Sequence, residues 1–577
     1  MNYNRDKKDM EHQSESKICQ NCKTSFIIKE EDFNFYEKIK VPPPTFCPEC
    51  RNIQRFATRN SKSLYKRACD GCKKEVISRF SPHNPAVMYC RDCWWSDNWD
   101  ALSFAKDYDF SKTFFEQFKE LLFSVPHVSL LNNNMHESDY SNMESDDKRC
   151  YLTFGGHYNE DCAFTEYSLW GREVYDSYWS LKSEQCHGCS LVERCYRTYG
   201  SEQCYDCLDT LFSFDCTNCS NIIGCIGLRN KSYCIFNQQY SKEEFFEIKE
   251  NLNIGSYRAR KELEEKSKTF WLSFPHKESL ITHSNDCTGN SIVNSKNSKN
   301  IWQADSVEDS KYSYIAAWNK NCYDETSAGN DELCYLCANG GGLYNSIAIL
   351  YSFGSNVDKK KQSFNCGYSY TVLNCTDCFG CVGIRNKQYC ILNKQYTKEE
   401  YFELLEKIKK SMLENPFQSQ KTGQVFSYGD FFPSEHSLFA YNETVAQDLY
   451  PKDKDSAEAQ GFVWREEPEP HYDFNHYQIP DDIKDVDDSI LSQVLKCEES
   501  GKGYKIARSE LAFYQKMQIP IPRISPLIRI RDRVRALLPF KLFDRQCQKC
   551  NKDIKTPYSP ERPEIIYCEK CYQQEVY

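Results

Sequence analysis

From residue 186 to residue 234 the cysteines fall at 186, 189, 195, 204, 207, 216, 219, 225 and 234, and every interval is a multiple of three. Free cysteine buries like a small hydrophobe, so this is a hydrophobic period as well as a chemical one. It is neither the 3.6 of a helix nor the 2 of an ordinary strand. Several pairs, such as 186 and 204 or 216 and 234, lie eighteen apart in surroundings rich in Tyr, Ser and Asn. A repeat near eighteen residues predicts stacked coils in which like residues superpose through the core, a β-solenoid-like centre. Gly188, Asp206, Asn218 and Asp377 each precede the second cysteine of a C-x-x-C pair, and all three residue types tolerate a left-handed corner there. Inward packing is the favoured reading of these pairs. Further metal ligation and dithiol redox chemistry stay open, with Cys186-His187-Gly188-Cys189 the most redox-like.

The period breaks twice in the same way. Residues 219–252 match 375–408 at nineteen of 34 positions, and both stretches change to a helical pattern near their ends. Ser241 and Thr397, each followed three residues on by glutamate (Glu244, Glu400), have the form of capping boxes. They predict helices over 241–266 and 397–412, behind stacked short strands over 141–240 and 285–395.

The two ends of the chain repeat each other. Residues 19–93 lie over 497–571 without a gap, with 21 of 75 positions identical. Phe35-Tyr36 meets Phe513-Tyr514, Arg51 and Arg55 meet Arg529 and Arg533, and Cys69, Cys72, Cys90 and Cys93 meet Cys547, Cys550, Cys568 and Cys571. Three quartets have zinc-ribbon spacing: Cys19, Cys22, Cys47, Cys50; then Cys69, Cys72, Cys90, Cys93; then Cys547, Cys550, Cys568, Cys571. Two thiolates flanking a tight turn point at one metal, and a second such turn completes a closed tetrahedron. Three Zn2+ ions are therefore expected. In the second copy Cys19 persists as Cys497, but Cys22, Cys47 and Cys50 become Ser500, Ser525 and Ile528. One thiolate cannot hold a structural zinc, so this module is expected to stand by packing alone.

Composition then narrows the class. The 577 residues carry a net charge of −10 and 33 cysteines. The first sixteen residues are polar, with neither a signal peptide's apolar core nor a membrane span anywhere along the chain. A cytoplasmic protein without membrane association is expected, and reduced thiols with it. Basic residues concentrate in 51–79 and 523–555, while 465–488 is strongly acidic. Arg51, Arg55, Arg59 and Lys62, with Arg529 and Arg533 in the copy, are the candidate partner-binding residues.

The first module, through Cys19, Cys22, Phe35, Tyr36, Pro44, Cys47, Pro48, Cys50 and Arg51, resembles the probable zinc-ribbon domain family. The whole chain resembles a bacterial zinc-ribbon family often labelled CaiB/BaiF. The matching stretches are FCPECR at 46–51, YCRDCWW at 89–95, GLRNKSYCIFN at 227–237, AYNETVAQ at 440–447 and YSPERPEIIYCEKCY at 558–572. This resemblance implies zinc ribbons and brings no established activity. None of these residues supports acyl-CoA transfer.

The expected fold is mainly β, with a cysteine-rich β-solenoid-like centre flanked by duplicated zinc-ribbon units and a few inserted helices. The expected order is a disordered tail (1–16), tandem ribbons (17–100), a helical connector (101–140), two solenoid halves with helices (141–266, 267–412), an acidic connector (413–490), and a degenerate ribbon with a terminal ribbon (491–577). A zinc-binding scaffold or adaptor, interacting with a protein or nucleic acid through its ribbons, is the leading function. Nucleic-acid binding is the first alternative. A β-solenoid enzyme acting on polysaccharide is the second, with only the scattered Asp286, Asp305, Glu308 and Asp309 to serve it. No nucleophile elbow, phosphate loop or dinucleotide fingerprint occurs, no small-molecule substrate is evident, and no catalytic residue is assigned.

Overall fold

The computed structural model describes residues 13–352, 362–466, 472, 474 and 477–576. Most of the expected 1–16 tail, a short stretch of the second strand region (353–361) and part of the expected acidic connector lie outside the described residues. The chain is mainly β, with two large parallel sheets, and it divides into two compact units. Unit 1 comprises residues 1–60, 65–129 and 280–465; unit 2 comprises 61–64, 130–279 and 466–577. Among the described residues no helix is long and apolar enough to cross a membrane.

Unit 2 contains a ladder of four-residue strands in which each residue pairs in parallel with the residue twelve further on. Glu184 pairs with Tyr196, Tyr196 with Leu208, Leu208 with Ser220 and Ser220 with Ser232. The first bridge, Asn133 to Ser145, precedes residue 141, so the ladder takes over the end of the expected connector. The repeat is twelve residues and not eighteen. Every third residue from Asn134 to Phe236 has a positive φ, including Phe164, Trp170 and Leu191. Each twelve-residue step thus has four three-residue segments and four left-handed corners. The corners expected at Gly188, Asp206 and Asn218 are among them, and Asp377, in unit 1, has a positive φ as well. Eighteen residues is one and a half steps, so cysteines at that spacing do not fall on paired positions, whereas those twelve apart do.

A left-handed corner costs a non-glycine residue about 1 kcal/mol, and hydrogen bonding between coils holds it in place. The same geometry dictates what lies inside. Every third side chain is turned inward, and at many of these positions the backbone N–H meets a Ser, Cys or Asn side chain twelve residues earlier. The Cys195 amide donates to Ser183 Oγ at 3.1 Å, the Cys225 amide to Ser213 Oγ at 3.2 Å, and the Val174 amide to Cys162 Sγ at 3.4 Å. The inward side chain in turn donates to the carbonyl two residues back, as Ser183 does to Leu181 at 2.9 Å and Cys204 to Glu202 at 3.5 Å. The position therefore selects small side chains that both accept and donate. Cysteine and serine meet that need, which explains most cysteines outside the quartets.

Unit 1 contains a second ladder, from Ile281 to Gln395, which starts with eleven-residue steps (Ile281 with Ile292, Asn285 with Lys296) and goes over to twelve from Gly289. Tyr314 pairs with Thr326 and Thr326 with Ala338, and the Cys322 amide donates to Ser310 Oγ at 3.0 Å. At one place the step is twenty residues, where Ile347 pairs with Gly367. Behind the first ladder the expected single helix is two, Lys242–Asn251 and Tyr257–Trp271, because Asn253 turns left-handed and Ser256 caps a new start. Behind the second, Lys398–Glu414 is one helix; the capping boxes at Ser241 and Thr397 are both present. The expected connector is no loose link. Phe426, Phe431, Phe432 and Tyr441 are buried in unit 1, and Ile483, Val486 and Ile490 join the core of unit 2.

The column rule is testable. Ser183→Ala leaves the buried Cys195 amide without an acceptor, and a loss of about 1–3 kcal/mol is expected in chemical denaturation. Ser183→Cys, which keeps an acceptor and a donor, is expected to lose less. Equal losses for the two substitutions would contradict the rule.

Candidate metal centres

Each quartet is built on a two-stranded hairpin. The strands Glu15–Ile18 and Ser25–Ile28 pair antiparallel, as do Tyr65–Ala68 with Glu75–Ser78 and Phe543–Gln546 with Asp553–Thr556. The turn between them carries the first two cysteines and a left-handed residue, Lys23, Lys73 or Asn551. The second pair opens a helix in each case, so its thiols point back at the turn. Cysteine pairs and turn thus converge from opposite sides.

The result is three groups whose four sulfurs all lie within 4.8 Å of one another. Cys22 and Cys47 Sγ are 3.7 Å apart, Cys72 and Cys90 3.7 Å, and Cys550 and Cys568 3.8 Å. A tetrahedron of 2.3 Å metal–sulfur bonds has edges of about 3.8 Å. All twelve predicted ligands are therefore gathered as predicted, in positions that could hold metal ions. Among the described residues no other His, Cys, Asp or Glu group meets that criterion, and the ladder cysteines do not.

Sulfur electrostatics fit a cation site. The first sulfur of each quartet accepts a backbone amide: Cys47 N to Cys19, Cys90 N to Cys69 and Cys568 N to Cys547, at 3.3, 3.1 and 3.3 Å. Burial pushes the Cys69 and Cys547 thiols up, but these and neighbouring amides outweigh it and bring them to about 7 and about 6. The Cys93 thiol is pushed up to about 12 by the Cys90 and Cys72 thiols beside it. One thiol ionises readily and another resists, so full ionisation of the quartet calls for a cation among the four.

A further hairpin, Leu495–Lys496 with Gly503–Tyr504, has Gly501 at the left-handed position. The Ser525 amide donates to Cys497 Sγ at 3.3 Å, the bond that Cys47 makes to Cys19. Cys497 is fully buried, and Ser500, Ser525 and Ile528 take the other three places.

The structure moves the arginines from the surface to the interior. We label Glu30–Lys38 α1, Pro48–Phe56 α2, Arg508–Met517 α3 and Pro526–Ala536 α4. In unit 1, Arg51 and Arg55 on α2 both reach Asp324 of the ladder, at 2.9 and 3.1 Å, and all three are buried. Beside them Phe35 of α1 stacks on Tyr323, with centroids 3.9 Å apart. Arg59 donates to Asn339 at 3.2 Å. In unit 2, Arg529 and Arg533 on α4 reach Asp176 at 2.8 and 2.9 Å, and Phe513 of α3 stacks on Tyr175 at 3.9 Å. Lys62 pairs with the buried Glu166 at 2.9 Å. The expectation of a partner-binding face at Arg51, Arg55, Arg59, Lys62, Arg529 and Arg533 is corrected accordingly: Arg51, Arg55 and Arg59 are buried, Lys62, Arg529 and Arg533 are half-buried, and all six spend their charge on ladder carboxylates and amides.

A second contact follows each C-x-x-C helix. Arg385 of the unit 1 ladder lies over Trp94, Trp95 and Trp99, 5.0, 5.5 and 5.6 Å from their ring centroids. In unit 2 the hydroxyl of Tyr572 donates to Asp215, which pairs with Arg229 at 2.9 Å. These ladder residues were not singled out in the sequence. The dipeptides Tyr175-Asp176 and Tyr323-Asp324 are 148 residues apart, whereas the visible match runs at 156. The eight extra residues of the twenty-residue step account for the difference, and a comparison allowing one gap would have exposed the pairs.

The carboxylates suggested for a polysaccharide enzyme do not converge. Asp309 accepts from Asn297 at 2.7 Å, Asp305 from Asn294 at 3.2 Å, Glu308 pairs with Lys320 at 3.5 Å, and Asp286 pairs with Lys299. The chain matches no family model, and no curated protein matches it.

Removing one member of a buried charge cluster strands the others. Asp324→Ala and Asp176→Ala are each expected to cost about 3–5 kcal/mol, read from denaturant unfolding. Losses below about 1 kcal/mol would show that the arginines find water and that the clamps do little.

Proposed function

We propose that this protein is a zinc-binding scaffold in which metal sets the shape of terminal ribbons and the ribbons brace two β-solenoid columns. The observation that carries this reading is the closure of the three quartets: four sulfurs, with no position left open for a substrate or water. Such a centre supplies folding free energy, on the order of 10 kcal/mol per site. The twelve-residue register and the regular left-handed corners support reading both ladders as coils of a solenoid. The shared turn geometry, amide-to-sulfur bonds and arginine clamps support reading 19–93 and 497–571 as two copies of one ribbon unit.

Our reading is non-enzymatic, with a protein partner on the outer surface. The nucleic-acid alternative loses the arginines that recommended it, and the polysaccharide alternative has no converging carboxylates. None of the cysteines is joined in a disulfide, which fits a reducing compartment such as the cytoplasm.

Elemental analysis of the purified protein is expected to give three zinc ions per chain. Cys69→Ser or Cys547→Ser should each reduce the count to two, while Cys497→Ser should leave it at three. Stoichiometric iron, or fewer than two zinc ions in the unaltered protein, would overturn the reading.

A further inference from the structure

Among 33 cysteines only Cys22, Cys72 and Cys550 are exposed, and each is the second cysteine of its quartet. Cys93 and Cys287 are half-buried, and every other cysteine is buried. Thiol chemistry from solvent is thereby confined to one corner of each metal centre. Apart from the half-buried Cys287, the ladder thiols, though far more numerous, are buried, and many already donate to backbone carbonyls.

What stands behind those corners differs from an ordinary structural site. In the second quartet, Cys90 and Cys93 bracket the start of the helix Arg91–Trp95. Its Trp94 is buried, donates its indole N–H to Pro126 O at 3.0 Å, and forms with Trp95 and Trp99 the box around Arg385. In the C-terminal quartet, Cys571 immediately precedes Tyr572, whose hydroxyl holds Asp215. The sulfurs that fix the metal also fix the side chains that dock the ribbon on its ladder.

We propose that Cys72 and Cys550 are thiol-modification sites at which a peroxide opens the quartet and undocks the ribbon behind it. Cys22 is the corresponding corner of the first quartet. The inference rests on the metal reading above. In the second quartet the Cys72 thiolate attacks hydrogen peroxide, forming an S–O bond as the O–O bond breaks and hydroxide leaves. The Cys90 thiolate, 3.7 Å away, then attacks that sulfur, forming the disulfide and displacing the second hydroxide. Two thiolates lose two electrons, peroxide gains two, two protons from solvent complete two waters, and the metal departs as the hydrated cation. The remaining Cys69 and Cys93 cannot hold a tetrahedral site, and the Trp94 helix loses its anchor.

The test uses the full-length, zinc-loaded chain with hydrogen peroxide or limiting iodoacetamide. Peptide mass spectrometry, chromogenic zinc release and tryptophan fluorescence are followed together. Cys72 and Cys550 are expected to react at least about tenfold faster than any ladder cysteine. Peroxide should yield a Cys72–Cys90 linkage, released zinc and a change in tryptophan emission. Arg385→Gln keeps all the sulfurs, so zinc should still be released while the fluorescence change is lost or reduced. Ladder cysteines reacting as fast as Cys72, or zinc release from the unaltered protein without a fluorescence change, would overturn the proposal. Protein purified without zinc would overturn the metal reading instead, and zinc-loaded protein with an unreactive Cys72 would overturn this one alone.

Discussion

A carboxylate removed from water is penalised by several kcal/mol unless charges and hydrogen bonds replace what it lost. Asp324 and Asp176 are each enclosed, and each faces two guanidinium groups spaced one helical turn apart. Burial pushes the Asp176 carboxyl up, yet Arg529 and Arg533 hold it well below the usual carboxylate range. The arrangement is specific because only a helix presenting arginines four residues apart, at one depth, satisfies the aspartate. Docking of ribbon on ladder, and with it the core of each unit, depends on that match. The stacked aromatic pair beside each clamp fixes the rotation that the charges leave free.

The ladder imposes the second constraint. A three-residue side is too short for an ordinary strand, so inward amides have no backbone partner at the corners and must find a side chain. Serine, cysteine and asparagine answer this need: Asn159 Oδ1, for instance, accepts from the Gly171 amide at 3.0 Å. Outside the column the same register stacks charged and amide side chains, such as Arg194 on Asp206 at 2.6 Å and Asn218 on Asn230 at 2.6 Å. The protein's unusual composition is thus largely a consequence of its coil length. Cysteine has two places here, in quartets that could hold metal ions and in the ladders, where it takes part in satisfying amides.

How much of this was legible beforehand follows from the range of each interaction. The quartets could be read because metal ligation demands a fixed residue type at short spacing. The left-handed corners at Gly188 and Asp206 could be read for the same local reason. The coil length could not be read from cysteine alone. Any small polar or apolar residue suits an inward position, so cysteines sample a three-residue lattice and a spacing of eighteen arises without structural meaning. The arginines at 51, 55, 529 and 533 were visible as a repeat, but a basic helix looks alike whether it faces solvent or a buried carboxylate. Their partners lie more than two hundred residues away in sequence, where only the fold brings them together.

The central claim is that metal and clamp share the work of holding each ribbon, and the two copies divide that work differently. Helix α2 begins beside Cys47 and contains Cys50, two candidate metal ligands, whereas α4, which begins at Pro526, has Ser525 and Ile528 in those places and has its clamp alone. Hydrogen–deuterium exchange of the full chain before and after zinc chelation tests this most directly. The account predicts that amides of α2 lose protection on chelation, while those of α4 and of both ladders keep it. Unchanged protection in α2, or equal loss in α2 and α4, would contradict it.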